Sequence, residues 1–102
     1  MSTRLELQEK LETLLGSENV YFQPPESIKL KYPCIVYSLD PVYTENADNK
    51  KYIVINRYHI KHIYKKLSGC LRNELLNSFM MISHDNTLIA EGMYNDDFTL
   101  YF

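Results

Sequence analysis

The first apolar residues of the chain recur with the period of an α-helix. Four leucines take positions i, i+4, i+7 and i+8 and share one face of such a helix: Leu7, Leu11, Leu14 and Leu15. Thr3 with Glu6 fits a capping box at the start, and Gly16 can end the helix in a left-handed conformation. The pattern therefore predicts a helix over Thr3–Leu15.

Three strands are predicted next, because apolar, β-branched and aromatic residues are enriched in short runs: Val20–Phe22, Cys34–Ser38 and Tyr52–Tyr64. In the longest run, polar residues concentrate at odd positions after Ile55. We therefore expect its even positions to face the core: Tyr52, Val54, Asn56, Tyr58, Ile60, His62 and Tyr64.

A second helix is predicted over Ser68–Phe79, with an apolar stripe of Leu71, Leu75 and Phe79 and with Ser68 as its cap. The remainder, Met80–Phe102, reads as an antiparallel hairpin whose turn falls at Asp85–Asn86 or at Glu91–Asn95. Because Phe98, Leu100 and Phe102 share one face of the last strand, we expect that strand to be a central or ring-facing one, tied into the fold.

The predicted order is α-β-β-β-α-β-β, which defines an α+β fold with one mostly antiparallel β-sheet packed against two helices. A chain of 102 residues suits a single domain, here spanning residues 1–102.

The net charge and the cysteines of the chain bear on whether it binds nucleic acid and in which compartment it resides. The net charge is −2, whereas nucleic-acid binders usually have a basic balance. The two cysteines, Cys34 and Cys70, form no CxxC motif, no apolar run reaches the ~20 residues of a membrane span, and the start lacks a signal peptide. These features predict a reducing cytoplasm and free thiols. Tyr-rich strands leave a base-stacking, nucleic-acid-binding module open as an alternative.

Candidate chemistry is sparse. His59 and His62 lie three apart on a predicted strand, so they point to opposite faces and cannot share a metal ion. Alternation likewise separates the side chains of Ser83–Asp85, and Asp96–Asp97 is interpreted as a turn. We therefore expect no enzyme, no metal site and no cofactor.

Several strings, taken in order, resemble the tail completion (tail terminator) proteins of long-tailed bacteriophages. They cover nearly the whole chain: Asn19–Pro25, Lys31–Ser38, Ala47–Asn49, Tyr52, Arg57–Tyr58, Ala90–Glu91 and Phe98–Phe102. The resemblance implies a virion structural subunit, assembled in the host cytoplasm, that forms a ring, usually of six copies. Such a ring caps the tail tube at its head-proximal end, stops polymerisation, contacts the head connector, and lets DNA pass without specific recognition. A neck stopper or adaptor remains the alternative, and the resemblance favours the later turn, Glu91–Asn95.

Loop residues are the expected contacts of such a subunit. The polar stretch Pro41–Lys51 is longer than a compact connection needs, so we expect Tyr43–Lys51 to form a projecting loop or hairpin tip that makes subunit contacts, the alternative being a mobile, solvated turn. The predicted interface residues are Tyr43, Glu45, Asp48, Asn49, Lys50, Glu91, Tyr94 and Asn95.

Overall fold

The computed structural model describes residues 4–46 and 54–102, with side chains for residues 4–40 and 56–102. Its helices are α1 (Arg4–Leu15), a 3-10 turn (Leu67–Gly69) and α2 (Arg72–Ser78). Its strands are β1 (Val20–Phe22), β2 (Cys34–Asn46), β3 (Val54–Tyr64), β4 (Ile82–Ala90) and β5 (Met93–Tyr101). The predicted α+β class and the predicted order of elements are confirmed.

Helix α1 ends where the sequence predicts. Gly16 has a φ of 76°, and the backbone N–H groups of Gly16 and Ser17 donate to the carbonyl oxygen of Glu12 at 2.8 and 3.3 Å. Glycine adopts this left-handed conformation without a steric penalty, so it caps the exposed carbonyl end of the helix. Leu7 and Leu11 are completely buried. The predicted cap Thr3 lies outside the described residues.

The sheet has the strand order β1-β2-β3-β5-β4, with β1 parallel to β2 and every other pair antiparallel. Strand β5 therefore lies between β3 and β4, which confirms that the C-terminal strand is a central one. Phe98 and Leu100 are buried, and the backbone of Phe102 exchanges hydrogen bonds with Asn56 at 3.0 and 3.3 Å.

Both helices pack on one face of the sheet, the covered face. Leucines of α1 and α2 meet an apolar layer from the central strands there; its largest members are Tyr37, Tyr58, Ile60, Phe98 and Leu100. The described even positions of β3 from Tyr58 to Tyr64 are buried as predicted, whereas His59 and Lys61 are exposed on the open face. Ile63, an odd position, is buried as well and pairs with buried Cys34.

Strand β2 is longer than predicted. The sequence predicts a strand over Cys34–Ser38 that Asp40–Pro41 closes, but the strand continues to Asn46 and pairs again with β3 from Thr44 onward. A register shift between Leu39 and Thr44 takes in Pro41, which agrees with the confinement of proline to sheet edges and irregularities. The prediction of a loop or hairpin tip over Tyr43–Lys51 is therefore wrong as a loop for its first four residues, which belong to a paired strand, and its remaining residues lie outside the described part of the chain.

The second helix is shorter than predicted, because the segment from Leu67 to Gly69 forms a 3-10 turn and α2 begins only at Arg72. Leu71, and not Ser68, takes the N-cap position. The predicted apolar stripe is nevertheless used: Leu75 and Phe79 are buried and Leu71 is partly buried.

The β4–β5 turn falls at the later of the two predicted sites but is tighter. Only Glu91 and Gly92 form the connection, with φ values of 54° and 76°, as in the two-residue turns that match the twist of a hairpin. Met93 to Asn95 therefore belong to β5, and the competing site at Asp85 is a bulge within β4.

Candidate assembly surfaces and a buried polar cluster

The predicted interface residues lie at opposite ends of the sheet. At one end of the sheet, Tyr64 of β3 is opposite Tyr94 of β5, close to the turn that carries Glu91. Tyr43 and Glu45 belong to the far end of β2, where Glu45 is opposite Ile55. The structure does not bring the two groups together. Asp48, Asn49 and Lys50 lie outside the described residues.

The three predicted interface residues at the β4–β5 end are Glu91, Tyr94 and Asn95, and only one of them is exposed as a contact surface requires. Glu91 is exposed, but Tyr94 and Asn95 are half-buried. The Tyr94 ring stacks on the Tyr64 ring at a centroid distance of 5.4 Å, and the Asn95 side-chain amide donates to the Met93 carbonyl oxygen at 3.3 Å. Of this group, Glu91 is therefore the residue best placed for a partner.

Strand β4 offers a surface that the sequence did not indicate. Among the described strands it pairs with β5 alone, so its other edge has no strand partner there and presents backbone groups. Leu88 and Ile89 are exposed by 54% and 67% and alternate between the two faces of the strand. The sequence predicts only that this segment belongs to an antiparallel hairpin, because sequence alone does not distinguish an edge strand from a central one.

The other edge of the sheet is more closed. Strand β1 has three residues, and the side-chain amide of Gln8 donates to the Val20 carbonyl oxygen at 3.0 Å. Pro24 and Pro25 follow the strand and cannot donate to a further ladder.

Large apolar side chains are exposed in four regions of the described surface, and one of these is the connection between β1 and β2, through Ile28 and Tyr32. Two others are α1, through Leu5, and the 3-10 turn, through Leu67. The fourth runs from the end of α2 along β4 and contains Met80, Met81, Leu88 and Ile89. Single exposed apolar residues are ordinary, but grouped ones mark contact surfaces.

A groove of about 440 Å³ opens beside the 3-10 turn. Its walls are aromatic, proline and backbone surfaces with two exposed lysines on the rim, and the lining residues are Tyr32, Pro33, Tyr64, Lys65, Lys66, Ser68 and Gly69. We call it the lysine groove. The lysine pair is visible in the sequence, but the aromatic lining is not, because Tyr32, just before β2, and Tyr64, at the end of β3, come together only in the fold.

Asp96 is the centre of a buried polar cluster, so the prediction that Asp96–Asp97 forms a turn is wrong. Asp96 lies in β5 and is completely buried. Its carboxylate accepts hydrogen bonds from the Tyr64 hydroxyl at 2.7 Å, the Thr87 hydroxyl at 2.6 Å and the Cys70 thiol at 3.7 Å. The Arg72 guanidinium approaches it at 3.5 Å. The cluster thereby joins β3, β4, β5 and the start of α2.

These contacts determine the charge of the carboxylate. Burial by itself would raise the pKa of Asp96, but the hydrogen bonds from Thr87 and Tyr64 and the positive charge of Arg72 outweigh it, so the pKa lies below the ordinary 3.8. Burial, with the hydrogen bonds to Cys70 and Asp96, raises the pKa of Tyr64. The cluster therefore holds one ionised carboxylate and a neutral phenol.

Two histidines border this carboxylate. The Nε2 atom of His84 lies 2.9 Å from the Thr87 hydroxyl and 3.7 Å from Asp96. His62 is opposite Asp96 in the β3–β5 register, is completely buried, and has no hydrogen-bond partner among the described residues for either ring nitrogen. Burial lowers the pKa of His62 to about 4, although the charge of Asp96 acts in the opposite direction.

A second acidic group lies on the other side of the sheet. Asp40 accepts hydrogen bonds from the Arg57 guanidinium, with its Nε atom at 2.9 Å, and His59 lies 3.5 Å from the same oxygen. His59 and His62 thus lie on opposite faces, as predicted. Both cysteines are free thiols, and burial raises the pKa of Cys34 to about 11.

Ser83, His84 and Asp85 do not form a catalytic triad. The Ser83 hydroxyl donates a hydrogen bond to the Asp85 carboxylate at 3.2 Å, whereas the His84 ring contacts the Thr87 hydroxyl. The three neighbours therefore do not form the proton relay of a catalytic triad. Within residues 4–46 and 54–102, no group of three or more His, Cys, Asp or Glu residues could hold a metal ion. In the same part of the chain, no helix is long and apolar enough to cross a membrane.

Comparisons of the chain with protein-family models, with curated proteins and with solved structures give no match. The geometry of the described residues defines a small α+β fold with several exposed apolar regions and a buried ionic cluster around Asp96.

Proposed function

We propose that this chain is a virion structural subunit of a long-tailed bacteriophage, a tail terminator that forms a closed ring on the tail tube. The ring ends polymerisation of the tube and presents a surface to the head connector. The proposal rests on the resemblance of the strings between Asn19 and Phe102 to that family and on the distribution of exposed apolar residues.

The observation that supports it best is that exposed apolar side chains fall in four separate regions of one small domain, of which the region along β4 groups four such residues. A ring subunit between a tube and a neck contacts two neighbouring copies as well as proteins above and below. Such a subunit needs several contact surfaces, whereas a monomer or a two-fold dimer needs none or one. The unpaired edge of β4, with Leu88 and Ile89, is the longest of these surfaces.

Native mass spectrometry and negative-stain electron microscopy of the full chain test the ring. We expect one closed oligomer of about six copies, because a head-to-tail contact with the correct rotation closes on itself. A monomer at all concentrations, a two-fold dimer or an open filament would contradict the proposal.

Labelling the subunit in assembled particles separates a terminator from the alternative, a neck stopper or adaptor. A terminator lies at the head-proximal end of the tail tube, and a label within the neck would favour the alternative.

Filter binding of DNA tests the other alternative, a nucleic-acid-binding module. We expect no DNA retention at moderate ionic strength, whereas retention that falls steeply with salt would indicate phosphate binding.

A further inference from the structure

The lysine groove has a complementary surface on the same chain. Its walls are Tyr32, Pro33 and Tyr64, and its charged rim is Lys65 and Lys66. Leu67, next in the chain, is 66% exposed. The groove therefore combines an apolar interior with positive charge and calls for an occupant that carries an apolar side chain beside carboxylates.

The outward face of α1 has this chemistry. Leu5, Glu9 and Glu12 lie at positions i, i+4 and i+7, so they share one face of the helix, opposite the buried face of Leu7 and Leu11. Leu5 is 66% exposed, Glu9 is exposed and Glu12 is half-buried. We call these three residues the α1 stripe.

We propose that the α1 stripe of one subunit docks into the lysine groove of the next copy of this chain and forms the repeating contact of the ring. In this contact Leu5 enters the groove, and Glu9 and Glu12 pair with Lys65 and Lys66. The inference rests on the proposed ring and names its interface.

Two features of the pair favour a second copy as the occupant. The charges are complementary, with two carboxylates on the stripe and two ammonium groups on the rim. The two surfaces also differ, so the contact is head-to-tail, and each subunit can donate its stripe to one neighbour and its groove to the other. Docking of a helix face into an apolar groove is a recurrent mode of recognition. The contact leaves the β4 edge available to proteins above or below the ring.

Charge reversal tests the contact on the full chain. Subunits with Lys65→Glu and Lys66→Glu should lose the oligomer peak, because a negative groove then meets a negative stripe. Subunits with Glu9→Lys and Glu12→Lys should lose it for the converse reason. A matched control changes Lys29→Glu and Lys61→Glu, two exposed lysines outside the groove, and should keep the wild-type oligomer.

Mixing the two reversed variants in equal amounts gives the decisive result. In an alternating ring, each negative groove meets a positive stripe and each positive groove meets a negative stripe. We therefore expect the mixture to restore an oligomer with an even number of subunits and a one-to-one composition by native mass spectrometry. Circular dichroism of each variant should match the wild-type spectrum, which separates loss of the contact from loss of the fold.

The other outcomes distinguish this inference from the proposed function. A wild-type chain that stays monomeric contradicts the ring and, with it, the contact. A wild-type ring that survives either reversal overturns the contact alone. Loss of assembly in both variants without recovery in the mixture also overturns it, because complementary charges would then not be the determinant.

Discussion

Strands β3 and β5 are buried side by side on the covered face, but their two halves are stabilised in different ways. In one half, Tyr58 and Ile60 of β3 are opposite Leu100 and Phe98 of β5, and leucines from both helices complete the layer. In the other half, His62 is opposite Asp96, whose carboxylate is held by side chains from three other segments. We call them the apolar half and the polar half.

The two halves differ in the property of a side chain that determines its contribution to the stability of the fold. The apolar half gains free energy from area removed from water, which is non-directional and tolerates similar side chains. The polar half depends on partners at hydrogen-bond distance, because a buried group without a partner loses its hydration without compensation. Substitutions should therefore be graded by lost volume in the first half and by lost partners in the second.

Deleting Phe98–Phe102 should have the largest effect and unfold the domain. The deletion removes two buried side chains, worth about 1.5–3 kcal/mol each, together with the ladder to β3, from a fold whose total margin is on the order of 5–15 kcal/mol. Circular dichroism should show no cooperative thermal transition, whereas Leu88→Ala, at an exposed position, should melt like the wild type.

Amide exchange on the intact chain gives an independent measure of the same strand. Thr99, Leu100 and Tyr101 should exchange slowly, since β5 is paired on both sides. Exchange as fast as in a free peptide would show that the strand is not part of the stable fold.

In the polar half, Asp96→Ala should cost about 3–4 kcal/mol, because it leaves the Tyr64 and Thr87 hydroxyls without their acceptor and Arg72 without its counter-charge. The neighbouring Asp97→Ala is the matched control, since Asp97 is half-buried and lies outside the cluster. That control should stay within about 0.5 kcal/mol of wild type in urea unfolding. Equal effects at the two positions would mean that the cluster contributes nothing specific.

The sequence predicted the apolar half well and the polar half poorly, for a physical reason. Alternation along β3 identified Tyr58, Ile60, His62 and Tyr64 as inward-facing, since a period of two is a local property. The partners of Asp96 come from β3, the start of α2 and β4, and no local pattern reports such distant neighbours. Two adjacent aspartates looked like turn residues.

The same limit applies to the candidate surfaces. Glu91 was identified from its turn and is exposed, as a contact residue should be. Leu88 and Ile89 could not be identified, because edge position follows from the strand order of the whole sheet. The continuation of β2 past Pro41 was missed because proline was interpreted as the end of the strand.

The polar half should also make the fold sensitive to acid. Because burial lowers the pKa of His62 to about 4 from 6.5, the unfolded state binds this proton more tightly than the folded state. Its contribution to stability is complete above pH 6.5 and is lost as the pH falls from 6.5 to 4, by about 2–3 kcal/mol. Asp96, with its pKa below 3.8, titrates below this window.

Urea unfolding at intervals between pH 7 and pH 4 measures this slope. His62→Leu removes the titrating group and the two unpaired ring nitrogens, so the slope in this window should become flatter. An unchanged slope in the variant would assign the acid sensitivity to other groups.

The smallest expected effect concerns the turn that borders the polar half. Glu91 adopts a φ of 54°, a left-handed conformation that costs most side chains about 1 kcal/mol and costs asparagine less. Glu91→Asn should therefore stabilise the domain by about 0.5 kcal/mol, while Gly92→Ala, at a φ of 76°, should destabilise it by about 1 kcal/mol. Combining Glu91→Asn with Asp96→Ala shows whether the turn and the cluster are coupled. If the effects of the two substitutions on the free energy of unfolding add up, the turn is not coupled to the residues around Asp96. If the stabilisation by Glu91→Asn vanishes in the double variant, the turn belongs to the polar half.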